Sequence, residues 1–237
     1  MKNKKLSLMK KFQTLIYDLC SRGERYTDPE GKTGLSLPTY TLEYQFEMVN
    51  KRKIHARPFG DGFPIIAEFP KKRISEMISK INQLPLKEFE EYNRTINNFV
   101  TTKHHVGDFK NGKSIKLPFL KEADDITAPI CKITEPLGGN SRVNTLNLEV
   151  TIYNKEIICD LPRCLDMVTI FFCVLCITSG YNPNKITFNL VRAHCEDIHL
   201  KALDIFFLNG VHYKDMKIKP SLTNLLNLKT RDVELTK

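Results

Sequence analysis

Tryptophan is absent from the 237 residues of this chain. With Tyr and Phe falling mostly in apolar-patterned segments, no basic stripe interleaved with aromatics is left of the kind that single-strand nucleic-acid binders use for stacking. No apolar run approaches the roughly 20 residues that span a bilayer; the longest is Ile170 to Ile177. The basic start MKNKK is not followed by the apolar core of a signal peptide, so nothing argues for secretion. The seven cysteines have no regular spacing. Several of them (Cys159, Cys173, Cys176) lie in apolar segments, which predicts small buried hydrophobes in a reducing, cytoplasmic setting rather than a disulfide framework. The Asn93-Arg94-Thr95 sequon is then expected to be inert. Internal repeats and low-complexity stretches are also missing.

What is present is enough apolar material for one core: 41% hydrophobic residues over a length that needs no second domain. The net charge of +9 favours an anionic partner such as a nucleotide or a nucleic acid. Much of it sits in Lys-rich turns (Lys2 to Lys5, Lys51 to Lys53, Lys71 to Arg73), where solvated surface is the simpler reading. Nucleic acid is therefore a weakly supported partner, and no membrane is expected.

Helical spacing of Leu6, Met9, Phe12, Leu15, Ile16 and Leu19, stopped by Ser21-Arg22-Gly23, predicts a first helix. Leu35 to Met48 reads as a strand after a turn-rich Tyr26 to Gly34. Gly60 to Pro64 reads as a tight turn, Ile65 to Ala67 as a short strand, and Lys72 to Leu84 and Leu86 to Val100 as helices. His104 to Lys121 reads as loop, Ile130 to Thr134 as a strand and Pro136 to Asn140 as a turn. Asn144 to Tyr153 is predicted to turn at Asn154-Lys155 into a second strand, Glu156 to Leu161, closing a hairpin. Leu165 to Ser179, apolar all round, is predicted to be a buried central helix ended by Gly180. A strand at Lys185 to Leu190, a helix from about Cys195 to Leu208, and short strands within Lys217 to Lys237 complete the reading.

In that order the chain resembles the thymidylate synthase and deoxycytidylate hydroxymethylase superfamily. Tyr17 to Met48 is similar to the family's opening helix, Gly-Thr loop and first strand, and Asp61-Gly62-Phe63-Pro64-Ile65-Ile66 to its EGFPLL turn. Asn154 to Asp166 is similar to the NGELSCQLYQRSxD segment with one residue fewer in the turn. Arg192 to His199 looks like GDxHxYxNH, and Lys219 to Leu235 like the closing strand with its DFEL signature. The resemblance implies a single α/β (α+β) domain over residues 1–237, with one large mixed sheet packed by helices, and a homodimer that packs sheet against sheet.

The family's reaction starts with a cysteine thiolate that attacks C6 of a pyrimidine nucleotide, so that C5 can take a one-carbon unit from folate. Counting back from Glu156 puts Asn144 at that position, and a carboxamide cannot do this work. Cys131, in Ala128-Pro129-Ile130-Cys131, is the alternative nucleophile, at the cost of a long insertion before the predicted hairpin. Of the phosphate arginines only Arg163 matches; with Asp166 it is a nucleotide-binding candidate, and it reads equally as a phosphate ligand or as a structural partner of Asp166. His194 and Glu196 stand where the family contacts the sugar, and Val174 stands where an Asn would read the base. The folate side lacks its tryptophans and its closing tail, and the water-ordering Glu falls near Ser79. His194 and His199 are five apart, roughly 140° around a helix, so they do not make a zinc-type pair, and no metal is expected. The expectation is a thymidylate synthase-like protein without one-carbon transfer and without cofactor, still able to bind a pyrimidine nucleotide or nucleoside or to act as a scaffold. The alternative is an active divergent methylase or hydroxymethylase using 5,10-methylenetetrahydrofolate.

Overall fold

The computed structural model describes residues 8–46, 55–56, 70–101, 109, 111–120, 129–136, 145–200, 216–218 and 233–235. A six-stranded mixed sheet organises them. Its strands, β1 (Glu24–Thr27), β2 (Thr33–Gln45), β4 (Lys113–Lys116), β5 (Ile130–Thr134), β6 (Thr145–Tyr153) and β7 (Asn182–Glu196), lie in the order β1-β2-β7-β6-β5-β4. All neighbours are antiparallel except β6 and β7. That parallel pair needs a crossover, and helix α4 (Leu161–Ser179) supplies it. A second sheet joins β3 (His55–Ala56), β8 (Met216–Ile218) and β9 (Val233–Leu235). The class is mixed α and β.

Helix α4 is apolar all round because it is covered all round. It packs on β7 on one side, and on α2 (Pro70–Asn82) and α3 (Leu86–Thr101) on the other. Every residue of it from Leu161 to Cys176 is buried except Arg163. It is long and apolar enough to cross a membrane by length and composition, but its surface is used up inside the protein. Helix α1 (Leu8–Arg22) lays Phe12, Leu15, Ile16 and Leu19, all fully buried, against β2. The opposite face of the sheet is polar. Thr41 reaches Asn189, which donates to Glu149 across three strands, while Asn184 donates to Asn147 and Lys185 pairs with Glu43.

A fault line crosses the middle of the sheet. Leu37 pairs with Ala193 and Thr39 with Val191, so Pro38, which has no N–H to give, faces Arg192. Arg192 has φ +56° and Asn154, at the same level of the neighbouring strand, φ +46°. The left-handed residue shifts the alternation of β7: Ile186, Phe188 and Leu190 point into the core before it, Ala193 and Cys195 after it. His194 is thereby left on the outer face and Cys195 turned inward.

Several elements differ from the sequence reading. No hairpin forms at Asn154-Lys155: the backbone runs on parallel to β7, with Asn154 N–H bonded to Val191 O, His194 N–H to Lys155 O and Ile157 N–H to His194 O. Residues 157–160 are turn, and α4 starts at Leu161, four residues before the predicted position. The apolar run Ile157-Ile158-Cys159 has strand-like composition, but a long-range pairing decides its conformation. Strand β7 includes Cys195 and Glu196, and the helix predicted there begins at 197; its course beyond 200 lies outside the described residues. β1 and β4 occupy stretches read as turn and loop, because both are edge strands specified by a partner rather than by their own pattern. The predicted turns at 60–64 and 137–140 and the strand at 65–67 also lie outside the described residues.

Candidate functional site

Just past the fault line the chain brings together a carboxylate, a thiol and an imidazole. Glu156, only 5% exposed, follows the kink at Asn154. Its Oε2 accepts from the backbone N–H of Ile158 at 2.6 Å and from that of Cys159. Its own carbonyl takes the N–H groups of Asp160 (3.1 Å) and Leu161 (2.9 Å). A single residue thus starts α4, while the N-cap residue Asp160 makes no side-chain capping bond among the described residues and Pro162 needs no N–H partner. The second oxygen, Oε1, lies 3.3 Å from His199 Nδ1 in the first turn of the helix at 197–200. Cys159 Sγ lies 3.8 Å from His199 Nε2 and 4.0 Å from Nδ1. The sulfur is nearly equidistant from both ring nitrogens, so it does not face Nε2 in line as the thiol of a Cys-His-acid triad does. Oxygen, sulfur and nitrogen instead converge, all within 4.8 Å of one another. Among the described residues, this group could hold a metal ion.

Electrostatics keep the thiols of this region protonated. Burial first, and then the Glu156 charge, push Cys159 up to about 12. The same two causes, in the same order, raise Cys195, which is fully buried. The β1–β2 hairpin closes the outer side. Arg25 Nη1 bonds Asp197 at 2.6 Å, Thr33 Oγ1 bonds its other oxygen at 2.6 Å, and these bonds hold the Asp197 carboxyl below its usual range. Tyr26 meets the His194 ring edge-on, 5.5 Å between centroids, and burial raises its phenol to about 12.

The residues singled out from sequence are distributed over three places. His194 and Glu196 share the outer face of β7; His194 Nδ1 lies 3.3 Å from Arg192 O, and Glu196 is 3.7 Å from Lys32 Nζ. Arg163, on the first turn of α4, pairs with Glu76 of α2 at 3.2 Å and more loosely with Asp160 at 4.0 Å. Asp166 is buried one turn further along α4. Cys131 is fully buried in β5 with its thiol pushed up to about 12 by burial. Val174 is fully buried within α4. Asn144 lies outside the described residues. Sequence reasoning weighed His199 only against His194 and missed its true neighbours. The spacing Glu156-x2-Cys159 with Cys195-x3-His199 was the available signal. Comparison of the chain with protein-family models and with curated proteins finds no match.

Proposed function

We propose that this chain is a thymidylate synthase-like protein that has lost one-carbon transfer to pyrimidine C5 and works as an interaction scaffold. The state of the thiols on β5, on α4, in the turn before it and on β7 carries this reading, Cys20 of α1 alone being exposed among the described cysteines. The reaction needs an accessible thiolate, whereas burial leads the causes that push Cys131, Cys159, Cys173, Cys176 and Cys195 well above the ordinary thiol range. Two further observations support it. The helix position that would read the base is Val174, packed in the core, and the charge of Arg163 is already met by Glu76 and Asp160. A homodimer packed sheet on sheet belongs to the same proposal, with the polar face of β2, β7 and β6 as the surface involved.

Incubation with dUMP or dCMP and 5,10-methylenetetrahydrofolate is expected to release no tritium from C5 of the labelled nucleotide. Release that is abolished by Cys131→Ala would establish the enzymatic alternative. Calorimetric titration with dUMP, dCMP and deoxyuridine separates a scaffold from a retained nucleotide site: saturable binding lost in Arg163→Ala would favour the latter. Sedimentation at two concentrations tests the dimer.

A further inference from the structure

From the junction at the end of the fault line we infer a zinc site, with Glu156, Cys159 and His199 as its three protein ligands. The inference is independent of the enzyme resemblance. Atoms bound tetrahedrally at about 2.0 to 2.3 Å from zinc lie about 3.3 to 3.8 Å from one another. The separations present are 3.3 Å between His199 Nδ1 and Glu156 Oε1, and 3.8 to 4.0 Å between Cys159 Sγ and the His199 ring nitrogens. The His199–Glu156 and Cys159–His199 edges thus already stand within a few tenths of an ångström of those of a coordination tetrahedron, and the ligand atoms all lie within 4.8 Å of one another.

Glu156 and His199 meet, and the Cys159 sulfur joins them within reach of both ring nitrogens. The donor set of one carboxylate oxygen, one imidazole and one thiol is the mixed N, O and S set that zinc accepts. The two N–H groups on Glu156 Oε2 orient the carboxylate as an outer shell does for a ligand.

Three protein ligands leave a fourth position for water. The ion ties the turn before α4 to the helix turn at 197–200. Binding converts the Cys159 thiol to a thiolate and releases its proton.

The test uses the untagged full chain. Zinc is titrated in competition with a chromophoric chelator, cobalt is titrated as a spectroscopic probe, and melting is followed with zinc and with a chelator. One equivalent of zinc, a higher melting temperature with zinc, and a thiolate-to-cobalt charge-transfer band are expected. Cys159→Ser and His199→Gln, checked for folding by circular dichroism, are each expected to weaken zinc binding by at least about 100-fold, the upper end of what losing an outer-shell partner costs. Failure of the wild-type chain to take up one equivalent, or wild-type affinity in folded Cys159→Ser, would overturn the site.

Discussion

The two ends of α4 are built by different means. At its C-terminus Gly180 sits at φ +77°, its N–H lies against the Cys176 and Ile177 carbonyls, and Tyr181 N–H bonds Cys176 O at 2.9 Å. That is local chemistry: a glycine in the left-handed region closes the helix wherever it occurs. At the N-terminus the residue in the capping position, Asp160, does no capping, and a buried glutamate four residues earlier holds the turn instead. The carboxylate can be there because β6 runs on past Asn154 alongside β7, and because His199 from a distant part of the chain meets its second oxygen. One end is closed by its own sequence, the other only by the completed sheet.

Replacing Glu156 breaks the second kind of end most severely. Glu156→Ala leaves two buried N–H groups and a histidine without their acceptor and is expected to lower stability by about 3 kcal/mol, read from the midpoint of urea unfolding. Gly180→Ala meets open space but must hold a left-handed conformation, so it is expected to cost about 1 to 2 kcal/mol in the same measurement. His199→Ala removes one partly exposed ion-pair partner and is expected to cost about 1 kcal/mol or less. Asp160→Ala, which loses no capping bond, is expected to change stability by less than about 0.5 kcal/mol. If Asp160→Ala proved as damaging as Glu156→Ala, the contrast between the two ends would be lost.

The thiols give the contrast a pH dependence. Cys131 and Cys159 are each raised to about 12 from an ordinary value near 9. An acid held protonated in the folded state stabilises it fully below its unfolded value. That contribution falls away as pH rises through the window from about 9 to about 12, because there the unfolded chain sheds the proton first. Stability is therefore expected to fall above pH 9, and alkylation of Cys159 at pH 8 to run far slower than that of an unstructured thiol. Equal alkylation rates for folded and unfolded chain would contradict the placement of Cys159 beside Glu156.

Periodicity sufficed for α1, α2, α3, β5 and most of β6 and α4, because each buries one stripe or one face and the apolar spacing records it. Gly180 was legible for the same local reason. The hairpin expected at Asn154 was the instructive error. Asn-Lys between two apolar runs is a common turn signal, but the left-handed Asn154 here bends a strand that stays in register with β7. His194 and Glu196, singled out from the sequence, lie together on the outer face. The group of Glu156, Cys159 and His199 was not legible, since His199 is separated from the other two by a helix and a strand.

The order of apolar and polar residues thus determined α1, α2, α3, β5 and most of β6 and α4, and that α4 must be the buried helix, because local spacing fixes which face can meet water. Tertiary structure alone decided that β6 and β7 kink at the same level, that Cys195 rather than His194 turns inward, and that a carboxylate, a thiol and an imidazole end within hydrogen-bonding range. Those outcomes depend on pairing between strands far apart in the chain, and a spacing pattern carries no record of a neighbour's register.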